Sequence, residues 1–376
     1  MQLKRAIYDI HLLLGLISGI IVFIVSITGC FYAFKAEIES LTQPYRHVAK
    51  QEQSFQDPSR LISVARDTLP ERNLQSITYG QRDDAAEVIF YEADPEFHRG
   101  VFLNPYTGEV LKVKDYSRDF FQFIFDGHFQ LWLPRHIGKP IVSTGVLIFV
   151  VLLITGIVLW WPKRKAERES FRIHWKAPWK RRYFDLHSVL GFYFFLILLI
   201  IALTGLVWGF QWFGEALYSA TGGEKQTAFR VPGSDTTAAS SKDTAHPLDY
   251  VWHTLSSDHP GAAEIAIFAP AADQAIYAYA NPDEQTYWKT EYRYFDQNTL
   301  EEIEVETIWG KMEDAALPDK IRRLNYDIHT GAIAGLPGKI IAFLASLVAA
   351  SLPVTGFLLW WRKRKEKKKM ASRLDL

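Results

Sequence analysis

Residues 9–34 read DIHLLLGLISGIIVFIVSITGCFYAF, and residues 185–210 read DLHSVLGFYFFLILLIIALTGLVWGF. The two stretches align without a gap. Asp9 falls on Asp185, His11 on His187, Gly15 on Gly191, Thr28-Gly29 on Thr204-Gly205, and Phe34 on Phe210. Aliphatic matches arise between any two apolar helices, but matches at Asp, His, Gly and Thr do not. A second pair repeats further along: Gly138-Lys139 with Gly338-Lys339, Thr155-Gly156 with Thr355-Gly356, and Trp160-Trp161 with Trp360-Trp361. The chain reads as a duplication whose halves run in the same order, the parallel repeat found in some membrane proteins.

Each repeated stretch sits in an apolar block. Leu12 to Phe34, Pro140 to Trp161, Ser188 to Gly214 and Ile340 to Trp361 contain no Asp, Glu, Lys or Arg. All exceed the roughly 20 residues that a helix needs to cross a bilayer, so four transmembrane helices are predicted. Hydrophobic residues make up 48% of the 376, yet the mean hydropathy is near zero, because very apolar blocks alternate with polar ones. The net charge is zero, but the basic residues are unevenly placed. Lys4 and Arg5 precede the first block. Lys163, Arg164, Lys165, Arg168, Arg172, Lys176, Lys180, Arg181 and Arg182 lie between the second and third, and Arg362 to Lys369 follow the fourth. The positive-inside rule makes these segments cytoplasmic. Both termini are then inside, and the two long loops, about residues 36–137 and 214–337, lie outside. Juxtamembrane Lys and Arg are what topology and anionic lipid already require, so no nucleic-acid partner is inferred. The first block is too long for a cleaved signal and lacks a small-residue cleavage site.

The predicted organisation is helix 1 (residues 1–36), a first external domain (37–136), helix 2 with a basic loop (137–184), helix 3 (185–214), a flexible linker (215–246), a second external domain (247–337), and helix 4 with a basic tail (338–376). In the first external domain Ser59–Thr68 has helical spacing. Strands are expected at 86–91, 100–103 and 109–113, with turn chemistry at Asn104-Pro105-Tyr106-Thr107-Gly108. In the second, Pro247 opens a helix, and strands are expected at 264–269, 274–280 and 290–295. Thr221 to Ala245, rich in Gly, Ser, Thr and Ala, is expected to be mobile. Cys30 is the only cysteine, so neither domain has a disulfide.

The motif Asp-x-His occurs four times, at Asp9/His11, Asp126/His128, Asp185/His187 and Asp327/His329, each time beside an apolar block. Ionisable residues at membrane depth are costly, so a recurring one is a functional candidate. Imidazoles facing each other across a bundle are the usual axial ligands of a membrane haem. His11 with His187 would hold an inner haem iron, and His128 with His329 an outer one. Without Cys-x-x-Cys-His the haems are non-covalent, hence two haem b. Gly15 and Gly191, four residues after their histidines, share a face with them and would open a slot. Gly29 and Gly205 would flank the outer haem, and Gly156 and Gly356 the inner one. The glycines also suit ordinary membrane-helix packing. His136 competes with His128 as the outer ligand but has no counterpart in the other half. Asp9 and Asp185 are expected as N-caps. The chain has no His-Glu-x-x-His, cysteine pair or calcium loop, and zinc would want a tetrahedral site.

These elements resemble the PepSY-associated transmembrane family of bacterial inner-membrane proteins linked to iron uptake. The likeness rests on the His-x-x-x-Gly…Thr-Gly helices (His11, Gly15, Thr28, Gly29; His187, Gly191, Thr204, Gly205), the Thr-Gly…Trp-Trp-basic helices, and the turn Asn104-Pro105-Tyr106-Thr107-Gly108-Glu109-Val110. It covers nearly the whole chain. Asp296-Gln297-Asn298-Thr299-Leu300 departs from the pattern, with Leu300 where the family has Gly. The resemblance implies an α+β membrane protein: a four-helix transmembrane bundle from two parallel repeats, each with an inserted small PepSY-like α+β periplasmic domain. It further implies kinship with haem-containing ferric-siderophore reductases. The leading reading is a transmembrane oxidoreductase, a di-haem b-type electron conduit that reduces ferric iron, in a siderophore, on the periplasmic side. With no Gly-x-Gly-x-x-Gly for a flavin or nicotinamide, electrons come from quinol or a separate cytoplasmic reductase. The alternative is a non-enzymatic PepSY module that binds a siderophore, peptide or partner protein. A transporter is the third reading, disfavoured by spans without midplane charge.

Overall fold

The computed structural model describes residues 2–161, 171–235 and 246–374, with side chains described as far as residue 366. Lys163, Arg164, Lys165 and Arg168 of the basic loop, residues 236–245 of the expected linker, and the side chains of residues 367–369 lie outside the described residues. In chain order the helices are α1 (Gln2–Tyr32), α2 (Lys35–Thr42), α3 (Pro58–Thr68), α4 (Phe120–Gln130), α5 (Arg135–Trp160), α6 (Trp179–Gly209), α7 (Gln211–Ala220), α8 (Pro247–Asp258), α9 (Leu317–Arg323), α10 (Asn325–Thr330) and α11 (Gly335–Leu374). The strands are β1 (Leu74–Tyr79), β2 (Ala86–Ala93), β3 (Glu96–Leu103), β4 (Val110–Asp115), β5 (Glu264–Phe268), β6 (Ile276–Asn281) and β7 (Glu291–Phe295). Two compact units result. One comprises residues 1–35, 123–214 and 328–376; the other comprises residues 36–122 and 215–327.

The first unit is the helix bundle. Its four spans, Gln2–Tyr32, Arg135–Trp160, Trp179–Gly209 and Ala332–Glu366, are long and apolar enough to cross a membrane. α1 packs against α5 and α11, and α6 packs against the same two helices. The helices α1 and α6 therefore occupy one diagonal of the bundle, and α5 and α11 the other. Small residues set the close approaches. A Cβ at Gly145 would meet Ile21 Cγ2 at 2.7 Å, and one at Gly209 would meet Ser143 Oγ at 2.7 Å.

α1 starts at Gln2, and α6 starts after Pro178. Asp9 and Asp185 therefore lie inside helices and are not N-caps, which corrects the expectation. The helices outrun the apolar blocks because Lys4, Arg5, Lys180, Arg181 and Arg182 keep the backbone helical while their long side chains reach water.

The second unit holds one sheet of seven strands, ordered β4-β3-β2-β1-β5-β6-β7, every neighbouring pair antiparallel. The two external segments expected as separate α+β domains are thus joined. The seam is β1 against β5, with Ile77 opposite Ile267 and Tyr79 opposite Ile265. A strand edge left bare is a liability, and the joined halves bury a larger share of their surface than either would alone. Pairing covers the β1 and β5 edges with each other. Helices α3 and α8 cover one face: Leu61, Ala65, Val251 and Leu255 are buried against Ile77, Val88, Val101, Ile267 and Ile276. Trp252 stacks on Tyr79 with ring centres 4.0 Å apart. Asp249 of α8 accepts hydrogen bonds from Ser59 N–H (2.7 Å) and Ser59 Oγ (2.6 Å) of α3, tying the helix of one half to that of the other.

The described part of the expected mobile linker also runs along this sheet. Gln226 bridges to Thr307 and Gly233 to Gln274, and Ala275 N–H donates to the Pro232 carbonyl at 2.9 Å. Residues 221–235 are therefore ordered by backbone pairing, a signal that composition does not carry.

The two strand-end turns have one hydrogen-bond scheme despite their different sequences. Asn104 Oδ1 accepts from Tyr106 and Thr107 N–H, and Asp296 Oδ1 accepts from Asn298 and Thr299 N–H. The fifth residue is left-handed in both, Gly108 at φ 76° and Leu300 at φ 63°. Leu300 tolerates this because it is buried in the core. The left-handed conformation costs a side chain about 1–2 kcal/mol, whereas burying a leucine is worth about 1.5–3 kcal/mol. Leu300→Gly should therefore lower the unfolding free energy even though it relieves the backbone, and Gly108→Ala should lower it by about 1 kcal/mol. Denaturation of the detergent-solubilised protein, followed by tryptophan fluorescence, reads both changes.

Candidate functional site

His11 lies on α1 and His187 on α6, the diagonal pair of spans. Their ring centres are 6.4 Å apart with planes at 90°. His128 on α4 and His329 on α10 form a second pair, with centres 6.3 Å apart and planes at 69°. Two imidazoles bound to one ion from opposite sides, each at about 2.0 Å, hold their ring centres roughly 6 Å apart. Both pairs have that spacing. His136 in the first turn of α5 is exposed, and it is His128 whose ring faces His329.

Every ring is held through Nδ1 by a threonine of a neighbouring span. His11 Nδ1 lies 2.8 Å from Thr155 Oγ1 of α5. His187 Nδ1 lies 3.0 Å from Thr355 Oγ1 and 3.1 Å from the Leu352 carbonyl of α11. His128 Nδ1 lies 2.9 Å from the Val25 carbonyl and 3.2 Å from Thr28 Oγ1 of α1. His329 Nδ1 lies 2.9 Å from Thr204 Oγ1 and 3.0 Å from the Ile201 carbonyl of α6.

The threonine hydroxyls fix the tautomer. Thr155, Thr355, Thr28 and Thr204 each donate their own proton to the carbonyl four residues earlier, at 2.7–2.8 Å. Their oxygens, like the backbone carbonyls, can then only accept. Nδ1 must carry the proton, and Nε2 is left as the basic nitrogen with a lone pair. Histidines that bind a metal are commonly oriented this way, by a hydrogen bond from the other ring nitrogen.

The glycine after each threonine completes the seat. A Cβ on Gly156 would lie 3.5 Å from His11 Cε1, and on Gly356 3.3 Å from His187 Cε1. Gly29 and Gly205 stand in the same relation to His128 and His329, at 3.3 Å each. These four glycines therefore make room for the imidazole itself. Gly15 and Gly191 differ, since a Cβ there would meet only Leu152 Cδ2 at 3.9 Å and Leu352 Cδ2 at 3.7 Å, ordinary van der Waals contact. The histidines and glycines were legible from the repeat. The orienting threonines were quoted only as part of Thr-Gly, although their recurrence in all four spans was the available signal.

The four aspartates of the repeated motif do different things. Asp9 is exposed. Asp126 accepts from Gln130 Nε2 at 3.3 Å. Asp185 is buried, taking His174 Nδ1 at 2.8 Å and Arg181 Nε at 2.7 Å. Asp327 is fully buried and accepts from the backbone of Tyr287 and Trp288. Burial pushes its carboxyl above the usual range, while those two N–H groups pull the other way. Trp208 of α6 stands edge-on to His329 with ring centres 5.3 Å apart. Among the described residues no three or more His, Cys, Asp or Glu gather as they would for an ion held by protein alone.

Residues 8–363 match the family described as the PepSY-associated TM region. No curated protein matches the chain.

The seats are tight enough to test. Gly29→Val and Gly205→Val would push into His128 and His329, and overpacking of this kind costs about 1–3 kcal/mol. Both variants should melt at lower temperature than the parent in detergent, and a melting point equal to the parent's would remove the close packing from the account.

Proposed function

The chain belongs to the PepSY-associated transmembrane family and is a multi-pass membrane protein, and from that premise we propose that it is a di-haem b-type electron-transfer protein of the bacterial inner membrane. His11 and His187 hold the inner haem, and His128 and His329 the outer one. The single observation that carries the reading is the pair of histidine spacings, 6.4 and 6.3 Å, with all four Nδ1 atoms committed to threonine or carbonyl oxygens. A haem held by these residues would supply a one-electron site suited to electron transfer rather than oxygen chemistry.

The chain's own residues do the rest. Thr155 and Thr355 keep the inner imidazoles in the tautomer that presents Nε2, and Thr28 and Thr204 do so for the outer pair. Gly15 and Gly191, one turn after the inner histidines, present no side chain on that helix face. The apolar spans would keep water away from the layer between the two pairs. The basic residues about the second, third and fourth spans put both termini in the cytoplasm. The inserted sheet unit is then periplasmic, where ferric iron in a siderophore is the proposed acceptor, by likeness to the reductases of this family. Electrons enter on the cytoplasmic side from quinol or a separate reductase.

The first test is an absorption spectrum of the purified protein, oxidised and then reduced with dithionite. A Soret band with a sharp reduced α-band is expected, and a colourless folded protein refutes the proposal. His11→Ala and His187→Ala should each lose one haem, and His128→Ala and His329→Ala the other. Two haems kept in any of the four variants, or loss of the same haem from the inner-pair and outer-pair variants alike, would overturn the ligand assignment while leaving the membrane architecture untouched.

A further inference from the structure

Two residues after each outer histidine, a backbone carbonyl is met by a glycine of the next span. A Cβ on Gly138 of α5 would collide with the Gln130 carbonyl, and one on Gly338 of α11 would collide with the Gly331 carbonyl. Both glycines are buried. This contact has the same form in the two halves. It holds the first turns of α5 beside the turn that carries His128, and those of α11 beside the turn that carries His329. The residue after each glycine is a lysine, Lys139 in one half and Lys339 in the other.

These two lysines are not explained by topology. The basic runs that flank the spans lie at the opposite ends, where the positive-inside rule puts them, yet each half keeps one lysine here at the same aligned place. A lysine that closes a span ordinarily stretches its ammonium to water. Lys339 does not, being only 6% exposed. It lies seven residues before Ser346 and so on the same face of α11. A Cβ on Gly29 would stand 3.7 Å from Ser346 Oγ and 3.3 Å from His128 Cε1, so that face is the one turned to the outer pair. Lys139 is half-buried, with its ammonium 5.7 Å from the ring centre of Phe129, the residue after His128. An ammonium drawn into an apolar layer is costly unless an anion faces it.

We propose that Lys139 and Lys339 bind the two propionate carboxylates of the outer haem, one lysine from each half of the chain. The inference rests on the reading of His128 and His329 as axial ligands. A haem b carries two carboxylate arms, so it calls for two cations near one level of the bundle. The repeat supplies two, each fixed to the turn that follows one histidine. An ammonium offers three donors and a compact charge, and its hydrogen bonds to a carboxylate exceed neutral ones in strength. Two positive charges at the edge of this haem also favour its reduced form, the state that carries the extra electron.

The test uses the full haem-loaded chain in detergent, with Lys139→Met and Lys339→Met, and with Lys139→Arg and Lys339→Arg as the charge-keeping controls. Resonance Raman spectra taken in the His11→Ala background, where the outer haem stands alone, read the bending band of the propionates, which moves when their hydrogen bonds are lost. Each Met variant should shift that band, lower the midpoint of the outer haem, and pass this haem to apomyoglobin about tenfold faster than the parent. The Arg variants should stay close to the parent, and the inner haem of the full chain should be unchanged throughout. A propionate band unmoved in either Met variant overturns the inference, and it is also the result expected if the lysines hold lipid phosphate instead. Loss of the outer haem from Met and Arg variants alike would overturn it too, since the lysines would then serve helix packing. A colourless parent sinks the haem reading and this inference with it, whereas a two-haem parent with an unmoved band sinks this inference alone.

Discussion

The bundle depends on where four imidazole protons go. In an apolar layer a polar hydrogen must find a protein acceptor, since no water is there to take it. Each Nδ1–H finds one on the neighbouring span, in a threonine oxygen whose own proton is already committed to its helix. That arrangement settles the tautomer, the ring orientation and the pairing of helices together. α1 is held to α5 through His11 and Thr155, and α6 to α11 through His187 and Thr355. The helices α4 and α10 are held down on α1 and α6 through His128 and His329. Substituting Thr155 by an aliphatic residue would take away the acceptor of the His11 proton, whereas His128, His187 and His329 would each keep a backbone carbonyl when their threonine is replaced.

The same constraint explains why the four spans carry Thr-Gly together. An imidazole cannot reach the threonine oxygen and the carbonyl one turn earlier unless the helix presents no side chain at the adjoining position. Glycine satisfies this at a cost of roughly 1 kcal/mol in helix propensity relative to alanine, which the hydrogen bond to a buried donor offsets. Contacts of this one type, at Gly29, Gly156, Gly205 and Gly356, recur in both halves of the chain.

Much of this was legible in the sequence, for definite physical reasons. Apolar blocks longer than a bilayer is thick leave few alternatives to a span, and a gapless match of Asp, His, Gly and Thr exposes the repeat. The strand β1, LQSITY at 74–79, was not anticipated, although it joins the two halves. Its Ser76 and Thr78 alternate with Ile77 and Tyr79 and make the stretch read as loop, while Ile77 and Tyr79 lie in the core and Leu74 packs against it. The N-cap assignment of Asp9 and Asp185 failed because helix ends were taken from the apolar blocks, whereas basic side chains let the helices run on. The turn at Asp296 departs from the family pattern in carrying Leu300 in place of glycine. It keeps its form because burial of the Leu300 side chain outweighs the strain of its backbone.

Each histidine pair draws one ring from each half of the chain, since His11 aligns with His187 and His128 holds in the first half the place that His329 holds in the second. The two rings of a pair are therefore seated alike, each on a threonine of the next span with a glycine beside it, while their surroundings differ. Trp208 stands beside His329, where the first half has Tyr32 packed on Phe125. Asp185 gathers His174 and Arg181, whereas Asp9, its counterpart, is exposed. Both halves keep the seat of the ring because an imidazole proton in an apolar layer needs its acceptor at a fixed place, and they vary the surface around it, where no such requirement acts.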